Sequence, residues 1–360
     1  MRLVLALIAA VAQDWPTYHG GFGLDGVADA APPDRPALLW RFKAGGAIDL
    51  PPVAEGGRVF VLSASGTLHA LGLDGRELWS KPAGKDVKAP IVATAGRVIV
   101  GSEDGRLKAY DAATGDVAWT AKVGDTLQGS PNVVELAEGR RAIIAVSQSD
   151  GAIHAVDFAT GGPLWKSAPV DRCDGSPGVG GGRIAMGSCA SALHLYDALK
   201  GEKTADVAFG DDSQVAGGVA IAGGVAFAGT RGGKVVAVDL AKKAVAWTNA
   251  DSKKEVFTTP AVAAKTVVVG SDDGHVYALA RDTGAKRWAF DAKDSPTSPV
   301  VGGNRVVVTA GGTVFLLDLD TGAKLWSEDV SDLLTSPALV GGRILVGADD
   351  GTLSCWGSKP

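Results

Sequence analysis

Three histidines, His69, His154 and His194, each stand three residues after a turn residue, Gly66, Gly151 and Ser191. Imidazoles at a recurring position are natural metal ligands, but a metal ion needs its ligands to converge on one point. The same column holds Lys108, Tyr277 and Phe315 elsewhere in the chain. The histidines are therefore equivalents in separate repeats, and no shared metal site is expected. The acidic turns Glu103-Asp104-Gly105, Asp272-Asp273-Gly274 and Asp349-Asp350-Gly351 lack the D-x-D-x-D-G ligand spacing of a calcium loop. They read as tight turns, which call for Asp and Gly on their own account. The recurring serines Ser130, Ser176, Ser298 and Ser336 all precede a proline, a positional habit of strand starts, and no base stands near them in sequence. Paired and triple glycines precede no helix, so they are hairpins and not phosphate cradles. No catalytic, cofactor-binding or metal-binding residue is assigned.

The elements that carry these residues repeat. Thr258 to Trp288 reads as a lead-in at Pro260 to Ala263, a β-branched run Thr266 to Gly270, an alternating run His275 to Ala280, and a fourth strand ending on Trp288. The closing tryptophan recurs about every 40 residues at Trp40, Trp79, Trp119, Trp165, Trp247, Trp288 and Trp326, with Ala205 in the remaining slot. The lead-in recurs in step at Pro52, Pro90, Pro131, Pro177, Pro260, Pro299 and Pro337, and once as Gly217-Gly218. Eight four-stranded units of this period predict an all-β, eight-bladed β-propeller spanning residues 37–360. The 50 glycines and a net charge of only -5 suit many tight turns and give no basic surplus for nucleic acid. No run approaches the roughly 18 apolar residues of a membrane span.

Met1-Arg2 and the apolar run Leu3 to Ala12, ending Ala10-Val11-Ala12, read as an export signal over residues 1–12, with a periplasmic or secreted destination. Residues 13–36 do not fit the repeat and are expected to lie across the outside or one face of the ring. Leu38 to Phe42 reads as a lone outer strand, and Ser336 to Trp356 lacks a fourth strand. The first completes the last, so the sheet closes without an open edge. A ring closed in this way needs no neighbour, and a monomer is expected.

The fourth unit is irregular twice, with Ala205 in the tryptophan slot and with Cys173 and Cys189. In the register that sets Ser176 opposite Gly187, the two cysteines face each other. In an exported protein they are expected to form a disulfide closing a loop of about 15 residues, worth roughly 3 kcal/mol, which offsets the missing indole. Cys355 falls at a small buried position and reads as an inert core thiol.

The phrase A-x-D-x-x-T-G-x-x-x-W is complete at Ala109, Asp111, Thr114, Gly115, Trp119 and at Ala155, Asp157, Thr160, Gly161, Trp165. It is nearly complete at Asp318 to Trp326 and at Ala278 to Trp288. This resembles the tryptophan-docking repeat of the pyrroloquinoline quinone (PQQ) enzymes, the quinoprotein alcohol dehydrogenase-like superfamily. The non-catalytic relatives of those enzymes include the outer-membrane assembly lipoprotein BamB. Physically, Gly supplies a positive φ, Asp and Thr satisfy the turn, and Trp packs between blades. Each indole contributes up to roughly 4 to 6 kcal/mol of burial.

Function is expected on the loops around one mouth of the central channel. Three residues before each lead-in proline, or before Gly218, stand Asp49, Val87, Gln128, Asp174, Val215, Phe257, Pro296 and Leu334, with Lys88 and Arg172 close by. Asp49, Lys88, Gln128, Arg172, Asp174, Phe257 and Leu334 form a candidate rim for a protein or peptide partner. The resemblance implies either a non-catalytic exported scaffold without cofactor, or a minimal PQQ-dependent dehydrogenase with calcium. A carbohydrate-binding or sensor propeller is the third reading. The enzymes of the family carry blade insertions and an adjacent cysteine pair, and this chain has neither.

Overall fold

A computed structural model describes residues 14–210 and 213–359; the export signal expected over residues 1–12 lies outside them. The chain forms eight antiparallel sheets of four strands, each a meander in which neighbours in sequence pair in space. In the sixth, Ala261–Val262, Thr266–Ser271, His275–Ala280 and Lys286–Asp291 follow the strands read from sequence. The first strands of adjacent blades contact one another around the axis, and the fourth strands form the perimeter. The seventh sheet has a fifth strand, Val27–Ala28, lying parallel to Val300–Gly302.

Closure follows the expected route. Ala37–Lys43 pairs antiparallel with Thr352–Gly357, joining the two ends of the described chain in one blade. The inner strands are buried over most of their length, as in Thr266–Ser271 and Thr352–Gly357, because each sheet packs against both neighbours. The outer strands alternate, as in Lys286–Asp291. Among the described residues no helix is long and apolar enough to cross a membrane.

The docking repeat works by a contact between consecutive blades. The indole N–H of Trp40 donates to Leu73 O (2.9 Å), Trp79 to Ala112 O (3.2 Å), Trp119 to Phe158 O (3.0 Å), Trp247 to Arg281 O (2.8 Å) and Trp288 to Leu319 O (2.8 Å). The glycine of the following turn lies flat under the ring. A Cβ would stand 2.5 Å from the indole at Gly75 and Gly284, 2.6 Å at Gly161, and 2.7 Å at Gly115 and Gly322. The glycine is thus required twice, by its positive φ and by the ring above it. Where Ala205 replaces the indole, the next turn carries Lys243 at φ 54° instead of glycine, and its Nζ donates to Thr204 O (2.9 Å). The lysine side chain, itself exposed, thus reaches across to the strand that lacks the indole.

The expected disulfide is not present: Cys173 and Cys189 are free thiols. The register is as anticipated, with Gly178 opposite Ala185, but the chain leaves the ladder before the cysteines. Cys189 N bonds Arg172 O, while Cys173 N turns to Gln148 O of the preceding blade. That turn points Cys173 into the core between the third and fourth blades, beside Val146, Met186 and Tyr196, where its Sγ–H donates to Gly187 O. Burial pushes the Cys173 thiol well above its ordinary range. Cys355 is fully buried, as expected.

Candidate functional site

The central channel is the natural place for a ligand, and it is filled by the chain itself. Each first strand presents one edge to the axis, and the N–H groups on that edge have no partner within the blade. Asp14 to Pro36 supplies the acceptors, running inside the ring and not across its outside. Ala54 N bonds Trp15 O, Ala93 N bonds Pro16 O, Val179 N bonds Phe22 O, Ile221 N bonds Gly23 O, Val262 N bonds Asp25 O, and Val301 N bonds Gly26 O, all within 2.7 to 2.9 Å. In the third blade Asn132 stands in, with Oδ1 accepting from Val133 N and Nδ2 donating to Phe22 O and Pro177 O. A plug that bonds the inner edge of blade after blade locks their mutual rotation, at about 1 kcal/mol per bond.

Both ends of the plug lie at the lower face, where the first strand of each blade turns into the second. Asp14 Oδ1 accepts from Gly56 N, and Asp34 pairs with Arg305. Its middle rises to the upper face, where the lead-in prolines lie. There the recurring serines latch blade to blade: Ser130 N donates to Ser176 Oγ, Thr259 N to Ser298 Oγ, and Ser298 N to Ser336 Oγ. The fifth blade has Gly217-Gly218 and no hydroxyl. The Tyr18 hydroxyl fills the gap, 2.7 Å from Thr259 Oγ1 and bonded to Ser176. A side chain at Gly218 would collide with it. The glycine pair makes room for the plug.

Trp15, Tyr18, His19 and Leu24 are buried. Both ring nitrogens of His19 lie 2.8 Å from carbonyl oxygens, Nδ1 from Leu24 O and Nε2 from Pro299 O. Burial lowers its pKa, and the two carbonyls oppose that shift. Burial also raises Asp25, against backbone N–H groups and the Arg281 charge.

The rim read from sequence divides in two. Asp49, Lys88 and Arg172 are exposed, Gln128 and Asp174 half-buried, and Phe257 is 36% exposed. Asp174 accepts from Gln148 Nε2 (2.6 Å) and Arg172 Nε (3.1 Å), and the Arg231 guanidinium lies over the Phe257 ring at 5.3 Å. Val87, Val215 and Pro296, by contrast, are buried, and Leu334 is half-buried. Their structural equivalents in the other blades are Ile48, Leu127, Cys173 and Val256, all buried. Four lead-in loops are one residue longer than the rest, so counting back from proline mixes inward and outward positions. The mixture of polar and apolar residues in that column arises from the offset.

The histidines lie in the first, third and fourth blades. His69 Nδ1 bonds Glu77 Oε1 (2.7 Å), and His154 Nε2 has no partner. His194 lies between Ser188 Oγ (2.8 Å from Nε2) and Asp206 Oδ1 (2.6 Å from Nδ1). This is the bonding order of a nucleophile, base and acid, brought together by a hairpin that sequence spacing did not reveal. Ser188 is 1% exposed and only Asp206 reaches solvent. The hydroxyl faces the core, where no substrate can meet it, and the relay serves to hold the hairpin.

The plug bonds the inner edges of the blades, and among the described residues no three His, Cys, Asp or Glu side chains are grouped to hold a metal ion.

A sequence model of the family described as outer membrane protein assembly factor BamB matches residues 25–150 and 190–358. No curated protein matches the chain in sequence. Among solved structures, BamB from Moraxella catarrhalis superposes with a TM-score of 0.75 at 20% identity, covering 90% of this chain and 98% of that one. The computationally designed protein Ika8 gives 0.76 at 20% identity, covering 89% and 99%. Quinohemoprotein alcohol dehydrogenase from Comamonas testosteroni gives 0.79 at 15% identity, covering 97% and 81%. At these identities the likeness is one of fold.

Proposed function

Because the chain belongs to the family of outer membrane protein assembly factor BamB, we propose that it is an exported, non-catalytic propeller that binds protein partners. The observation that carries this reading is the plug. It bonds the inner edges of six blades, which supports a ligand on the loops of the ring over one in its channel. Those loops offer Asp49, Lys88, Gln128, Arg172, Asp174 and Phe257, a mixture of charge, amide and aromatic surface on a rigid frame. Mixed polar and aromatic surface of this kind suits a protein or peptide better than a small cofactor. The apolar run before Ala12 supports export.

The test is a titration of the purified protein with PQQ and calcium. Tryptophan fluorescence is followed together with alcohol-dependent reduction of an artificial electron acceptor. The proposal expects neither saturable quenching nor dye reduction at micromolar quinone. Saturable binding coupled to dye reduction would establish a dehydrogenase and end the platform reading.

A further inference from the structure

The charges of the upper face are segregated. Between the first and second blades a groove of about 330 Å³ is walled by three cations, Lys85, Arg106 and Lys108, and two carboxylates, Asp86 and Asp104. Lys88 is exposed beside it. Neither Lys85 nor Lys88 has an ion-pair partner among the described residues. Lys108 Nζ donates to Ala83 O and Lys122 Nζ to Asp104 O. Both bonds go to the main chain, so neither neutralises a charge. Arg106 alone is matched, by Asp104 at 2.8 Å, and Asp86 and Glu103 are the remaining anions nearby. The chain as a whole carries a net charge of -5, yet this sector is positive.

Across the ring the sign reverses. The loops of the last three blades carry Glu255, Asp272, Asp294, Asp332 and Asp349 against Lys253, Lys254 and Lys293, the last of them paired with Asp291. Asp272 is held above its ordinary pKa by burial and by the neighbouring Glu255 charge. A face with one positive and one negative sector orients an approaching charged partner and fixes its register.

We infer that the groove between the first and second blades docks an acidic, extended protein segment. The inference rests on the reading of this protein as a binding platform and names the chemistry of its partner. The groove has room for a few side chains. Its unmatched cations are ammonium groups on flexible stems, which suit scattered carboxylates, whereas a phosphate calls for converging forked donors. The acidic sector on the same face repels a long polyanion such as nucleic acid.

The experiment is fluorescence anisotropy on the full chain with a labelled Asp/Glu-rich peptide. Its Asn/Gln counterpart, inorganic phosphate and phosphatidylglycerol vesicles serve as competitors. The acidic peptide should bind, weaken as salt screens the surface, and lose roughly tenfold in affinity in the Lys85→Glu, Lys88→Glu double variant. Asp332→Lys, on the opposite sector, should leave binding intact or tighten it. Circular dichroism confirms that each variant is folded. No binding, equal binding of the Asn/Gln peptide, equal displacement by phosphate or vesicles, or binding unchanged in the double variant would each overturn the inference. Dye reduction with the quinone would instead overturn the platform reading itself, so the two failures are told apart.

Discussion

The exchange of Ala205 and Lys243 for the usual tryptophan and glycine can be reversed, and the double-mutant cycle has a definite expected form. Installing the indole alone, Ala205→Trp, puts the ring where the Lys243 side chain now lies. Cβ atoms at the equivalent glycines would fall 2.2 to 2.7 Å from the ring, well inside contact distance, and overpacking of this kind costs about 1 to 3 kcal/mol. Lys243→Gly alone relieves a left-handed residue at φ 54° but loses the Nζ bond to Thr204 O. These effects oppose one another at about 1 kcal/mol each, for a net near zero. Together the changes recreate the contact of the other blades. The ring covers the turn and its N–H gains Leu240 O, the counterpart of Arg281 O at Trp247. The double variant should therefore be more stable than the native chain by about 1 to 3 kcal/mol, well below the burial ceiling because the slot is already part filled. The coupling energy should exceed about 2 kcal/mol. Urea unfolding followed by far-ultraviolet circular dichroism reads this as a shift in midpoint at constant m-value. Additivity of the two single changes to within about 0.5 kcal/mol would refute the reasoning.

Two further outcomes follow from buried groups. Burial lowers the folded pKa of His19, so the unfolded chain binds the proton more readily. Stability is then full above the ordinary histidine pKa of about 6.5 and is lost as pH falls below it. Thermal unfolding across that window, compared with His19→Asn, checks the sign. Stability that rises on acidification would mean that the two carbonyls hold an imidazolium instead. Burial also pushes the Cys355 thiol up to about 12 and raises Cys173 well above its ordinary range, while Cys189 is only half-buried. A maleimide should label Cys189 first and the other two only on unfolding. Prompt labelling of Cys173 in the folded protein would contradict its packing.

The fold was legible because a propeller writes each blade in local terms. Turn residues, β-branched runs and one indole per unit are all properties of neighbouring positions, and the repeat prints the turns and runs eight times and the indole seven. The plug was not legible, because its bonds to six blades run through main-chain atoms and leave no pattern of side-chain types in Asp14 to Pro36. The rim was legible only in part. A one-residue difference in loop length moves a position from outside to inside, as Gln128 beside Leu127 and Phe257 beside Val256 show, and proline spacing does not reveal it.

What the sequence did carry, unread, were exceptions that come in pairs. Ala205 breaks the tryptophan column and Lys243 breaks the glycine column, and the lysine bonds Thr204 O, beside the missing indole, across consecutive blades. Gly217-Gly218 breaks the serine and proline columns, and its partner is Tyr18 in the segment that seemed to belong to no blade. In a repeat array most regular positions already have a regular partner. A residue that departs from its column therefore leaves a space or a polar group that some other irregular residue must meet. Matching irregularities to one another is thus a physical rule for finding contacts, and here it leads from the fifth blade to the plug in the channel.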